Sequence, residues 1–223
     1  MDGETPAPFG TRIGPQALLE LRRDGVGRPY EARELLFMEH DSAGSVFLIE
    51  SGRIKVYVTA SDGTDLILGI YGQGELLCEL SALERLPRSA SGAGRKEGIV
   101  TEIPGPAFRA FVGRHPEAML HILATVRHRL RRADQERLSY RSDRVRIRVI
   151  RKLLTWSESY GRRTPDGIVL AGFSRSDLAQ SIAASEKTVD AVLADLTVKG
   201  VLATKREWFL LRDTAMLRAW TLP

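Results

Sequence analysis

Phe173-Ser174-Arg175-Ser176-Asp177-Leu178-Ala179, continued by Ala183-Ala184-Ser185-Glu186-Lys187-Thr188-Val189, is the stretch on which the reading of the whole chain turns. Ser174 is a natural N-cap, and Asp177 three residues on completes the pattern of a capping box. Leu178, Ala179 and Ile182 then form one apolar face. Ala183-Ala184-Ser185 reads as a short turn whose serine caps a second helix, Glu186 to Leu196. Val189, Val192, Leu193 and Leu196 face inward at helical spacing, which leaves Glu186, Lys187, Asp190 and Ala191 outward near the N-terminus. Helix, tight turn and helix in that order form a helix-turn-helix, which presents the first residues of its second helix to base edges. An ordinary pair of core helices is the competing reading. Lys199-Gly200 stops the second helix, and Ala203 to Leu211 reads as a two-stranded wing with Lys205 and Arg206 at its tip. Glu186, Asp190 and Asp195 make the second helix acidic. Phosphate contacts are therefore expected from Arg175, Lys187, Thr188, Lys205 and Arg206.

Upstream, Gly161 to Gly167 reads as a loop, and about 143 to 160 as a helix carrying Val149, Ile150, Leu153 and Leu154. Before it, Met119, Ile122, Val126, Leu130 and Ala133 recur at steps of three and four from Pro116, a residue suited to a first helical turn. Such a stripe either packs on its own domain or forms the seam of a parallel coiled coil. Towards its end it meets Arg137 and Tyr140, a polar and weaker seam. Residues 28 to 112 read as short strands: Leu35 to Phe37, Val46 to Ile49, Ile54 to Val58 and Leu66 to Ile70. Turns are expected at His40 to Ser42, Glu50 to Arg53, Ser61 to Thr64 and Gly72 to Gly74. Asp62-Gly63 is a strong hairpin signal. Ser91 to Gly98 is polar and glycine-rich. Short strands at this spacing indicate a barrel or jelly roll.

Composition narrows the function classes. The chain has 223 residues, 43% hydrophobic and 27% charged, with a formal net charge of +5. That suits a globular protein with a polyanionic partner. Between Arg127 and Lys152 there are eleven basic residues, a run that by itself is often a solvated helix face. No apolar run approaches the ~20 residues of a membrane span. The polar start MDGETPAPFG suggests no signal peptide, so a cytoplasmic location and no membrane partner are expected. The single cysteine, Cys78, excludes an intrachain disulfide and a cysteine-ligated iron–sulfur cluster. Redox sensing through it is a minor reading that full function after Cys78→Ser would remove. No nucleophile–base motif, Walker loop or metal-ligand spacing is present, so the chain is not expected to be an enzyme.

Taken together, Val46 to Tyr57, Gly74 to Leu80, Arg88-Ser89-Ala90 and Ser185 to Val189 resemble the Crp/Fnr family of bacterial regulators over nearly the whole chain. The resemblance implies an α+β chain: an N-terminal jelly-roll-like β-roll sensor domain (1–115), a long dimerisation helix (116–142) and a C-terminal winged helix-turn-helix (143–223). It implies a homodimer on near-palindromic double-stranded DNA, with RNA polymerase as a further partner. It also carries over a phosphate-binding cassette, in which Glu79 would accept a ribose hydroxyl and Arg88 with Ser89 would hold a cyclic phosphate. Arg129 falls where the family faces an arginine into the pocket. Cys78 stands in place of a usual glycine, and Ala133 and Asp134 stand where the family's base-reading threonine and serine would be.

No cofactor is required by this reading; a cyclic nucleotide is the first effector to consider. The alternative for Glu79 and Arg88 is an internal ion pair stiffening an empty β-roll. At the other end, the outward positions usually read as arginine, glutamate and arginine are Glu186, Lys187 and Ala191, so the operator should differ from the best-known one. Lys187 donates to guanine and Glu186 accepts from cytosine in this scheme, beside the cap Ser185. A cyclic-nucleotide-binding module with weak or no DNA activity is the rival reading of the whole.

Overall fold

The computed structural model describes residues 7–221. Residues 1–6, in the stretch read for a signal peptide, and 222–223 lie outside them. The chain divides into two compact units: the described residues up to Val58 with Ile67–Arg131, and Thr59–Leu66 with the chain from Arg132.

The first unit begins with α1 (Phe9–Arg12) and α2 (Gly14–Arg23), followed by β1 (Val26–Tyr30), β2 (Leu35–Phe37) and β3 (Ser45–Thr59). Then come β4 (Asp65–Tyr71), β5 (Leu76–Leu77), α3 (Glu79–Glu84), β6 (Ser91–Pro104), α4 (Gly105–Arg114) and α5 (Pro116–Ser142), with β4 starting and α5 ending in the other unit. Among the described residues the sheet order is β1-β6-β3-β4, with β2 on β6 and β5 on β3. Asp62-Gly63 turns the β3–β4 hairpin as its chemistry requires: Ala60 N–H donates to Thr64 O, and Gly63 has φ of 81°.

One expected turn of this unit needs correction. Glu50 to Arg53 is not a turn. β3 runs straight through it, and its register against β6 slips between Ile49 and Ser51 and again up to Ile54. Gly52 sits in that irregularity with φ of 83°, and a Cβ there would meet the Tyr30 hydroxyl and the Glu97 carbonyl. The turn-like residues therefore mark bulges in one long strand. Ser91 to Gly98, polar and glycine-rich, forms the first part of β6. Gly92 is needed because the Phe37 ring lies where its Cβ would be.

The α5 stripe divides its labour. Ala118 and Ile122 are buried, with Met119 and Val126 packed beside them, in a core shared with Leu21, Val46, Leu48, Phe108 and Phe111. Burying a side chain such as Ile122 stabilises the unit by roughly 1.5–3 kcal/mol. So the first half of the stripe covers its own domain. Leu130 does not: it is more than half exposed, as are Leu120, Leu123 and Leu138. No described helix is long and apolar enough to cross a membrane.

The second unit carries α6 (Val145–Tyr160), β7 (Arg162–Thr164), β8 (Gly167–Ala171), α7 (Arg175–Ser181) and α8 (Glu186–Val198). It closes with β9 (Leu202–Lys205), β10 (Trp208–Leu211) and α9 (Thr214–Ala219). The expected 161–167 loop is instead a hairpin, β7 pairing antiparallel with β8, and Thr164 Oγ1 donates to Gly167 O at 2.9 Å. It joins the wing in one sheet of order β7-β8-β10-β9. The stack of Trp156 on Phe173 (ring centroids 4.5 Å apart) centres a core that includes Leu153, Leu178, Leu193 and Phe209.

The basic run proves to be mostly internal bracing. Arg132 and Lys152 pair with Glu136, Arg137 with Asp134, Arg151 with Asp143 and Arg146 with Asp195. Arg148 donates to Ile182 O at 2.9 Å and lies 5.3 Å over the Tyr140 ring. Lys152 is buried, and desolvation pulls its pKa below the usual 10.5 although Glu136 opposes this.

Candidate functional site

In the first unit, β5 ends at Leu77 and the chain turns into α3 through Cys78, whose backbone is left-handed (φ 66°, ψ 15°). That conformation is why a glycine is at home there, and a cysteine adopts it at some cost. The turn buries Glu79, the first residue of α3, to 2% exposure. Arg88 follows α3 and is buried to 5% just before β6. Arg129 reaches the same place from α5. A cavity of about 100 Å³ results, lined by Glu79, Arg88, Ser89 and Arg129 together with Cys78, Tyr71 and apolar strand residues. All four residues expected from the sequence thus share one cavity.

Their pairing is not the one considered from the sequence. Glu79 accepts from Arg129 Nη1 at 2.6 Å, not from Arg88. Arg129 also donates from Nη2 to Leu76 O at 3.1 Å, and its guanidinium lies 4.9 Å over the Tyr71 ring. Burial works against its charge, but Tyr71, Glu79 and Glu75 outweigh burial and raise its pKa. Arg88 lies instead over Phe37 and Phe47, at 5.0 and 5.2 Å from their ring centres. Its Nη2 donates to Ser45 Oγ at 3.3 Å, while its Nη1 is buried without a partner. A buried guanidinium nitrogen with no acceptor is costly, and an anion in the cavity would satisfy it. Ser89 is exposed beside it.

Cys78 borders the same cavity. Burial pushes its thiol up to about 12, with Arg88 pulling down and Glu79 pushing up by less. The thiol stays protonated at neutral pH, which disfavours thiolate redox chemistry.

In the second unit, Ser174 and Asp177 close the expected capping box at α7. Ser185 caps α8, accepting from Thr188 N at 3.2 Å, with Thr188 Oγ1 at 2.8 Å from its hydroxyl. Ser185, Glu186, Lys187 and Thr188 are exposed on one end of α8, and Lys205 and Arg206 are exposed at the wing tip. Lys205 Nζ lies 5.5 Å from the Trp208 ring centre. Arg175 is tied down: Nη1 donates to Asp190 Oδ1 at 3.1 Å and Nη2 to Thr204 Oγ1 at 3.3 Å. Asp195 is paired with Lys199 at 2.9 Å and with Arg146. The acidity of α8 at its exposed start therefore comes from Glu186 and Asp190.

Several of these participants were silent in the sequence. Ser45, Tyr71 and Phe37 belong to strands whose pattern announces only packing, and Thr204 belongs to the wing. Asp190 was legible as an outward residue, but its arginine partner lies fifteen residues away.

Two stretches of the chain match known families. Residues 27–115 match the family described as cyclic nucleotide-binding domain, and residues 147–220 match the Crp-like helix-turn-helix domain. The chain is 25% identical over 206 residues, 92% of each chain, to the CRP-like cAMP-activated global transcriptional regulator of Mycobacterium tuberculosis. It is 27% identical over 191 residues, 85% of each chain, to the cyclic AMP receptor protein of Thermus thermophilus. Among solved structures, the c-di-GMP responsive global regulator CLP of Xanthomonas campestris superposes with a TM-score of 0.75 at 23% identity, covering 89% of this chain and 99% of that one. A CooA variant from Carboxydothermus hydrogenoformans gives 0.80 at 18% identity, covering 98% and 97%.

Proposed function

The chain belongs to the Crp/Fnr family of DNA-binding transcription regulators, and on that footing we propose that its β-roll cavity is an effector site for a cyclic nucleotide acting on a homodimer. The observation that carries the effector half is Arg88: a buried guanidinium with one unpartnered nitrogen, lining a cavity beside Ser89 and Glu79. Its fork suits the single negative charge of a cyclic phosphate. The cavity of about 100 Å³ is several-fold smaller than pockets that bury small-molecule ligands, ~300–1,000 Å³. A bound nucleotide therefore widens this half-open cleft or extends out of it. The group in the way is the Glu79–Arg129 bridge, and Arg129 belongs to α5, so a ligand hydroxyl accepted by Glu79 competes with a residue of the long helix.

Dimerisation is assigned to the exposed face of α5. Leu120, Leu123 and Leu130 lie at steps of three and seven and are uncovered in the single chain. In this account the effector shifts the pairing of two α5 helices, which sets the spacing of two α8 helices. Recognition needs them about one DNA turn apart, ~34 Å. A ligand acts only by favouring the competent arrangement. Tyr140 and Arg137, expected as a loose polar seam, already have partners within the chain in Arg148 and Asp134.

For DNA, Lys187 and Glu186 are assigned to base edges. Arg175, Ser185, Thr188, Lys205 and Arg206 are assigned to the backbone. RNA polymerase in the cytoplasm is the partner that a DNA-bound regulator would engage.

The test is a selection from random-sequence duplexes with the full chain, paired with thermal unfolding in cyclic AMP, cyclic GMP and cyclic dinucleotides. An enriched inverted repeat, with Lys187→Ala relaxing one base position per half-site, supports the reading face. A melting temperature that climbs with one ligand, and not with Arg88→Met, supports the effector site. No enrichment at any salt, or no shift across the panel, overturns the corresponding half.

A further inference from the structure

We infer that Asp190 is a base-selecting carboxylate, held in the reading face by Arg175 and Thr204, that discriminates for an amino group and against non-specific DNA. The inference rests on α8 being the element that enters the groove, and it adds a reader whose acid chemistry the neighbouring lysine does not share.

Three observations carry it. Asp190 lies one turn beyond Glu186 on the outward side of α8, while Val189, Leu193 and Leu196 are buried on the other side. Its Oδ1 accepts from Arg175 Nη1 at 3.1 Å, and the same guanidinium reaches Thr204 Oγ1 on β9 at 3.3 Å through Nη2. One arginine thus spans α7, α8 and the wing, and the aspartate is its fixed end. Both side chains remain nearly half exposed, at 48% for Arg175 and 47% for Asp190, so neither is withdrawn from an approaching duplex.

The chemistry follows from the donor and acceptor inventory. An ionised carboxylate only accepts, and Oδ2 is not used by the bond to Arg175. In the major groove the matching donors are the N4 amino group of cytosine and the N6 amino group of adenine. Opposite guanine or thymine the carboxylate meets acceptors, with no proton to offer. Arg175 fixes the orientation of Asp190, which a flexible exposed aspartate would have to surrender entropy to adopt. The pairing also works in reverse. Asp190 offsets part of the Arg175 charge and, with Glu186, repels phosphate, so attraction to an arbitrary sequence is weakened. The loss expected for Arg175→Ala therefore includes a base-specific part, because Asp190 loses its brace.

The experiment uses the full chain as wild type, Asp190→Asn, Arg175→Ala and the double variant. Each is run through the same random-sequence selection, then measured on the wild-type-selected duplex and on a scrambled one over a range of salt. Asp190→Asn is isosteric, and a matching unfolding curve verifies its fold. In the wild type, cytosine or adenine is expected at one position per half-site, with at least about fivefold preference, the low end for one well-made base contact. Asp190→Asn, whose amide donates as well as accepts, should re-weight that position alone, away from cytosine and towards adenine, leave the Lys187 position intact and bind the scrambled duplex more tightly. Arg175→Ala should flatten the wild-type preference at the same position, and the double variant should change no other position. If wild type and Asp190→Asn select the same bases with the same weights, Asp190 is only a brace and the inference is overturned, while the helix-turn-helix reading stands. If the wild type enriches no sequence, both fall together.

Discussion

The β-roll cavity and the exposed start of α8 each contain an arginine–carboxylate pair, and their surroundings make the two pairs different. Glu79–Arg129 is closed: the carboxylate is almost fully buried, and the arginine is also fastened to Leu76 O and stacked on Tyr71. Asp190–Arg175 is open, each partner about half exposed. Opening the first pair uncovers a buried charge, whereas opening the second returns two ions to water. The buried pair therefore stores an energetic difference that a ligand can use, and the exposed pair governs orientation and selectivity with little bearing on stability.

The sharpest way to break this contrast is to remove one partner from each pair. Arg129→Met should destabilise the chain by about 3–5 kcal/mol in urea unfolding, because Glu79 is left buried without its partner. Adding Glu79→Leu should recover most of that loss. A small loss for Arg129→Met alone would mean that the cavity is wetter than its geometry implies. Next in size is the ligand effect. Effector at a hundredfold excess over its Kd should stabilise the wild type by about 2.7 kcal/mol, read as a rise in melting temperature, and Arg88→Met should cancel it. At the reading face, Asp190→Asn should change stability by no more than ~1 kcal/mol, while its base preference changes as described.

The smallest effect belongs to a third polar cluster, away from both sites. His115 lies 2.7 Å from Glu20 and 3.2 Å from Glu117, and the bond to Glu20 is the main reason its pKa is raised above the usual 6.5. The folded chain thus holds this proton more tightly than the unfolded chain. Its contribution to stability is complete below pH 6.5 and disappears as pH rises through the raised value. Melting temperature measured across that interval should decline, and His115→Gln should flatten the decline.

The two regions also differed in how much the sequence disclosed. The reading head is local: caps, helices and wing lie within about forty residues, so Ser174, Ser185 and the spacing of Val189 and Leu193 expose its plan. The β-roll is held by distant pairings. Glu50 to Arg53 carries turn residues, yet the long ladder between β3 and β6 absorbs them as bulges. The glycines after Ser91 look unlike a strand because the reason for them, the Phe37 ring, is far away in sequence. The cavity residues Glu79, Arg88, Ser89 and Arg129 were legible through resemblance. Which arginine takes Glu79 was not, since that depends on where α5 passes. The same holds for Arg175, whose fixed partner only the fold reveals.

The central claim is that occupancy of the Arg88 cavity controls DNA binding at α8. Its direct measurement is the affinity of the full chain for its selected duplex, by fluorescence anisotropy, with and without each cyclic nucleotide, for wild type and Arg88→Met. The account predicts that at least one cyclic nucleotide tightens binding by the wild type, and that Arg88→Met keeps the ligand-free affinity but loses the response. An affinity unchanged across the whole panel, or an undiminished response in Arg88→Met, would contradict it.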